Sequence, residues 1–164
     1  MAYSVFLSHS TKDKELINDV AGYLIARGIK THVAEWNVAA GTELPKKVAS
    51  LIKSSDCLVA ILTKDGARSQ WVNQEIGCAE GAGRLVIPFV EKGVKVKGFL
   101  EARECIRFDQ TDPYSIKSAL RRLRDYLDKL HFEKEEGFKR VLWFAGGLFL
   151  LGILFPDEGN FYDD

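Results

Sequence analysis

Apolar residues along this chain fall in short solid runs separated by longer stretches of helical period. Tyr3 to Leu7, Ile29 to Ala34, Cys57 to Leu62, Leu85 to Val90 and Cys105 to Phe108 are compact apolar runs that read as strands. Between the first two, Asp13 to Ala26 carries Leu16, Ile17, Val20, Leu24 and Ile25 at helical spacing, with Gly28 as the stop. Thr42 starts a second helix, with Pro45 tolerated in its first turn, and Val48, Leu51 and Ile52 run along it to about Ser54. A third helix opens near Arg68-Ser69-Gln70 and closes at Gly81-Ala82-Gly83. Asp112-Pro113 is a cap followed by a first-turn proline. It starts a long helix with Ile116, Leu120, Leu123, Leu127 and Leu130 on one face. Two segments lack a period and read as loops, Glu35 to Leu44 and the Gly-containing stretch Glu91 to Glu104. Pro88, inside the fourth run, predicts an irregularity or a place near the sheet edge.

Strands alternating with helices predict an α/β, doubly wound parallel sheet of five strands, in a flavodoxin-like order. Ligands on such sheets sit outside the carboxyl ends of the strands. Three pieces of chain converge on that rim: Ser8 to Ser10, Trp36 to Gly41 and Trp71 to Glu75. Trp71 and Glu75 are four apart, so a helix stacks them on one face, an aromatic wall beside a lone carboxylate. Taken alone, the pair reads first as a tryptophan packed on the sheet and a solvated glutamate; the convergence of three segments favours a site. Glycines 77, 81 and 83 close a helix and lead into a strand, the wrong order for a dinucleotide fingerprint.

Composition narrows the function classes. Lys plus Arg and Asp plus Glu both number 23, which leaves no global basic footprint for nucleic acid. Arg121-Arg122-Leu123-Arg124 is a solvated helix face before it is a phosphate grip. The three cysteines, Cys57, Cys78 and Cys105, have no C-x-x-C pairing, which suits buried thiols in a reducing cytosol. His9, His32 and His131 are too scattered for a metal site. The N-terminus enters a strand at once, without a signal peptide, and a cytoplasmic location is expected.

The tail departs from this pattern. Residues 1–131 make the α/β domain, and 132–140 form a charged linker in which Glu133-Lys134-Glu135-Glu136 is broken by Gly137. Residues 141–155 carry no charge, and 156–164 are acidic. As a helix, the 15 uncharged residues reach about 22 Å against a hydrocarbon core of roughly 30 Å. Snorkelling Lys139 and Arg140 narrow the gap. A membrane-associated helix is expected, with the main domain facing the cytoplasm; the competing reading is a helix packed on the domain or on another copy.

With these residues in hand, the chain resembles a Toll/interleukin-1 receptor (TIR) domain of the prokaryotic, NAD-cleaving type. The matching pieces are Val5-Phe6-Leu7-Ser8-His9-Ser10 with Asp13, the Glu35 to Leu44 loop with its Gly41, Ser54-Ser55-Asp56, and Ser69-Gln70-Trp71-Val72-Asn73-Gln74-Glu75-Ile76-Gly77. The resemblance covers roughly residues 3 to 130. It implies an enzyme that breaks the nicotinamide–ribose bond of NAD+, with NAD+ as substrate and no separate cofactor, in signalling or antiviral defence. It implies Glu75 as the catalytic glutamate. Trp71, Ser8, His9, Ser10, Phe6, Trp36 and Gly41 are the substrate-binding set, His9 without a catalytic role. For Ser8 and Ser10 plain helix capping is an equal reading. Trp36 stacks on a base, on a neighbouring subunit or on its own domain. The family also implies self-association into an oligomer or filament, with the Val38-Ala39-Ala40-Gly41 loop docking on a neighbour. Its other branch consists of adaptors that bind only other TIR domains. Two departures, Glu35 where aspartate is common and the bulky Trp36, bear on how that loop holds substrate.

Overall fold

The computed structural model describes residues 3–33 and 45–154, with side chains through 138 except Phe99. The chain divides into two units, Met1–Asp125 and Tyr126–Asp164. In the first unit, β1 (Ser4–Ser8), β2 (Lys30–Val33), β3 (Cys57–Leu62), β4 (Leu85–Glu91) and β5 (Ile106–Phe108) form one sheet. All neighbours pair parallel, in the order β2-β1-β3-β4-β5. Helices α1 (Lys14–Ile25), α2 (Lys46–Ser54) and α3 (Gln70–Gly81) join successive strands, and α4 (Pro113–Leu154) follows β5. This is the expected flavodoxin-like order, and its switch point lies between β1 and β3.

Side chains alternate across a strand, so every second residue belongs to the same layer. Phe6 of β1, Leu58, Ala60 and Leu62 of β3, and Val86 and Val90 of β4 share one face. They pack with Val48 and Ile52 of α2 and Val72, Ile76 and Ala79 of α3. The intervening residues Val5, Leu7, Val59, Ile61, Ile87 and Phe89 are buried as well, because a parallel sheet is covered on both faces. Phe89 also stacks on Phe108 of β5, with 4.6 Å between ring centroids. The Ser55-Asp56 lead-in to β3 is pinned to β1: Asp56 Oδ2 accepts from the Ser4 N–H at 2.8 Å and from its hydroxyl at 3.0 Å.

Pro88 sits inside β4, the fourth of five strands, and the ladder with β3 continues through it. The pairing with β5 begins only at Phe89. The Val86 carbonyl accepts from the Arg103 guanidinium at 3.3 Å rather than from a strand. Backbone groups two residues apart in a strand point the same way, so the missing N–H of Pro88 falls on this locally unpaired side. The proline thus marks a local edge within an inner strand.

Asp112 caps α4 as its sequence predicts, accepting the Tyr114 N–H at 2.9 Å. Asp112→Ala should lower stability by about 1 kcal/mol, read as a drop in the denaturant midpoint; an unchanged midpoint would deny the cap. The expected break at Gly137 does not occur, and α4 runs unbroken through the charged stretch 132–140. Pairs one turn apart, Lys129 with Glu133 at 3.9 Å and His131 with Glu135 at 3.2 Å, favour the helix there. One glycine costs a helix only about 1 kcal/mol. The side chains of the uncharged run 141–155 and the acidic tail 156–164 lie outside the described residues. Among the described residues, no helix is long and apolar enough to cross a membrane.

Candidate functional site

Helix α3 is started by Ser69, whose hydroxyl accepts the Val72 N–H at 3.4 Å. That start places Trp71 in the first turn, half-buried and packed against the core cluster. Glu75 follows one turn later on the same face, with 0% of its surface exposed. Its Oε2 accepts a hydrogen bond from the Ser8 hydroxyl at the C-terminal end of β1. Ser8 is equally buried. A carboxyl group held away from water is costly unless hydrogen-bonded, and the serine hydroxyl supplies one such bond. The two residues meet at the switch point of the sheet.

The rest of the β1–α1 loop lies beside this pair. His9 is buried, with Nδ1 3.5 Å from the Leu7 carbonyl oxygen. Ser10 is turned onto its own chain: its hydroxyl accepts the Lys12 N–H at 3.3 Å and its carbonyl accepts the Asp13 N–H at 2.9 Å. Asp13 stands at the cap position of α1 but makes no side-chain cap. Its carboxylate accepts instead from the Thr63 hydroxyl at 2.8 Å, and Thr63 Oγ1 accepts the Gly66 N–H at 2.9 Å. These bonds tie the loop after β1 to the loop after β3.

Burial pushes the Asp13 carboxyl above its ordinary value of 3.8, against the lowering influence of the Thr63 hydroxyl. The native state then holds the proton to higher pH than the unfolded chain. Stability therefore falls as pH rises from 3.8 through the folded value and stays lower above it. Asp13→Asn should abolish this contribution. Midpoints of wild type minus variant, measured across the acid range, should become more negative as pH rises; a flat difference would contradict the burial argument.

Phe6, expected in the substrate-binding set, is a fully buried member of the core cluster. It lies two residues before Ser8, on the same face of β1. Trp36 and Gly41 lie outside the described residues. Cys57 is buried and its thiol pushed up to about 12 by burial, which keeps it unreactive. Cys78 and Cys105 are half-buried.

A cavity of about 600 Å³ opens at the C-terminal ends of β3 and β4, lined by residues from Leu62 to Leu100. Much of its lining comes from Glu91 to Glu104, a stretch without a periodic pattern. The signal was present in Val94-Lys95-Val96-Lys97: the valines turn inward and the lysines stay exposed.

The fold is a flavodoxin-like α/β domain with a buried carboxyl group, Glu75, hydrogen-bonded at the end of β1. The TIR-domain profile matches residues 5–124, and the chain belongs to the TIR-domain family. A protein from Methanobrevibacter olleyae, the probable 2′ cyclic ADP-D-ribose synthase TcpO, is 34% identical over 74 residues. Those residues are 44% of this chain but only 22% of that protein. The TIR domain of the Toll-related receptor TRR-2 from Hydra magnipapillata superposes with a TM-score of 0.61 at 20% identity, over 77% of this chain and 99% of that one. The CMP N-glycosidase BcmB of Clostridium botulinum gives 0.52 at 20% identity, over 75% and 98%. At these identities the two solved structures speak for the fold.

Proposed function

We propose that this TIR domain cleaves NAD+ between nicotinamide and ribose, with Glu75 as the catalytic carboxylate and self-association as the switch. The observation that carries the reading is a fully buried glutamate held by Ser8 at the switch point of the sheet. The relative from Methanobrevibacter olleyae, a probable 2′ cyclic ADP-D-ribose synthase, supports the substrate class.

The chemistry suits one carboxylate. When the C–N bond breaks, its electron pair leaves with nicotinamide, whose ring turns from cationic to neutral, so no acid has to protonate the leaving group. Positive charge grows on the ribose, and a water-poor carboxylate opposite it stabilises the transition state more than the ground state. Water then adds and loses a proton to give ADP-ribose, or a hydroxyl of the same molecule adds to give a cyclic product. Glu75 also accepts hydrogen bonds from ribose hydroxyls, in the place that the Ser8 hydroxyl takes in the closed chain. A glutamate with no exposed surface meets a sugar only after that pair opens, and docking of a second copy supplies the opening. Trp71 forms the wall of the opened cleft.

The test is nicotinamide release from NAD+ by the purified chain, dilute and forced to cluster, with the ribosyl product identified by mass. Release that rises with clustering supports the enzyme. No release even when clustered leaves a TIR adaptor.

A further inference from the structure

The cavity beside α3 belongs to no part of the reaction proposed above. Its floor is apolar: Leu62, Ile76, Val94 and Leu100 are all buried. Its mouth is cationic, with Lys64, Arg68, Lys95 and Lys97 exposed around it and no carboxylate in the lining among the described residues. None of these four cations forms an ion pair with a described residue. Two acids lie close by without pairing with these cations: Glu91 accepts the backbone N–H of Lys64, and Asp65 pairs with Lys12 at 2.9 Å. Gly93 and Gly98, at φ +84° and +67°, bracket the Val-Lys-Val-Lys segment. These left-handed turns let a short extended stretch swing both lysines to the mouth.

Scattered surface lysines are ordinary, and solvation alone accounts for them. Four converging on one hollow, in a chain whose formal net charge is zero, repel one another and favour an anion between them. The volume falls within the range of small-molecule sites, roughly 300–1,000 Å³. An apolar floor under a cationic mouth fits a ligand with a flat apolar body and a phosphate, which is the shape of a nucleotide. We propose that this cavity is a second, non-catalytic site for a nucleotide-sized, phosphate-bearing ligand. Asn73 and Ile76 of α3 line it, while Glu75 of the same helix turns to Ser8. An occupant therefore touches the helix that carries the carboxylate, on its neighbouring face. The proposal stands without the NAD+ reading.

Calorimetric titration with ADP, adenosine and inorganic phosphate tests it, using the full chain and the double variant Lys95→Glu/Lys97→Glu. Both lysines are exposed, and a melting curve confirms that the variant folds. ADP should bind wild type saturably, and at least about tenfold more tightly than adenosine or phosphate alone. The double variant should lose at least about tenfold in ADP affinity, and added salt should weaken the wild-type complex. Absence of saturable ADP binding, equal affinity for phosphate alone, or an unchanged affinity in the variant would each overturn the assignment. The last would place ADP elsewhere, such as the Glu75 cleft.

Discussion

Glu75→Gln should reduce nicotinamide release from NAD+ by about 10²–10³-fold while leaving the fold intact. The amide has nearly the shape of the carboxylate, and its oxygen still accepts from the Ser8 hydroxyl. What it lacks is the negative charge that faces the ribose as the C–N bond breaks. Stability should stay close to that of wild type, because the amide keeps the shape of the side chain and the oxygen that accepts from Ser8. Parallel measurement of turnover and melting temperature separates this outcome from simple unfolding. A glutamine variant that turns NAD+ over at the wild-type rate would remove Glu75 from the chemistry.

Phe6→Ala should have the largest effect on stability, a loss of about 3–5 kcal/mol. Small domains have only about 5–15 kcal/mol in total, so the variant should melt far below wild type or fail to accumulate. The cause is position. Phe6 has no exposed surface and belongs to the cluster formed with α2 and α3. The void left by the ring would lie on the face of β1 that also carries Ser8, so loss of activity should accompany the loss of stability. Phe6→Leu should retain much of both. If Phe6→Ala instead kept its denaturant midpoint and only raised KM, the ring would be a ligand contact and not a core anchor.

Much of the fold was legible because it rests on local periods. The solid run Cys57 to Leu62 reads as a buried strand, and all six residues are buried in β3. Asp112-Pro113 announces a helix start from backbone chemistry alone, and the cap forms. The candidate site was legible only as a placement, since Trp71 and Glu75 share a helix face whatever the helix packs on. The misses came where a residue's role depends on a distant partner. Asp13 reads as a first-turn helix residue, yet Thr63, fifty positions away, takes its carboxylate. Gly66 attracts no notice in the sequence, although a Cβ there would lie 2.3 Å from the Ile61 carbonyl oxygen. Gly137 looks like a break and is not one, because pairing along the helix offsets a small intrinsic cost.

The sequence by itself determined the alternation of strands and helices, the parallel sheet, and the face that Glu75 shares with Trp71. These follow from side-chain period and capping, which act over a few residues. Only the tertiary structure decided that Ser8 meets Glu75 across 67 positions of chain and that both are sealed from water. It alone turned an unpatterned loop into the cationic mouth of a cavity. Burial and charge convergence depend on which strands become neighbours, and no short stretch of sequence carries that information.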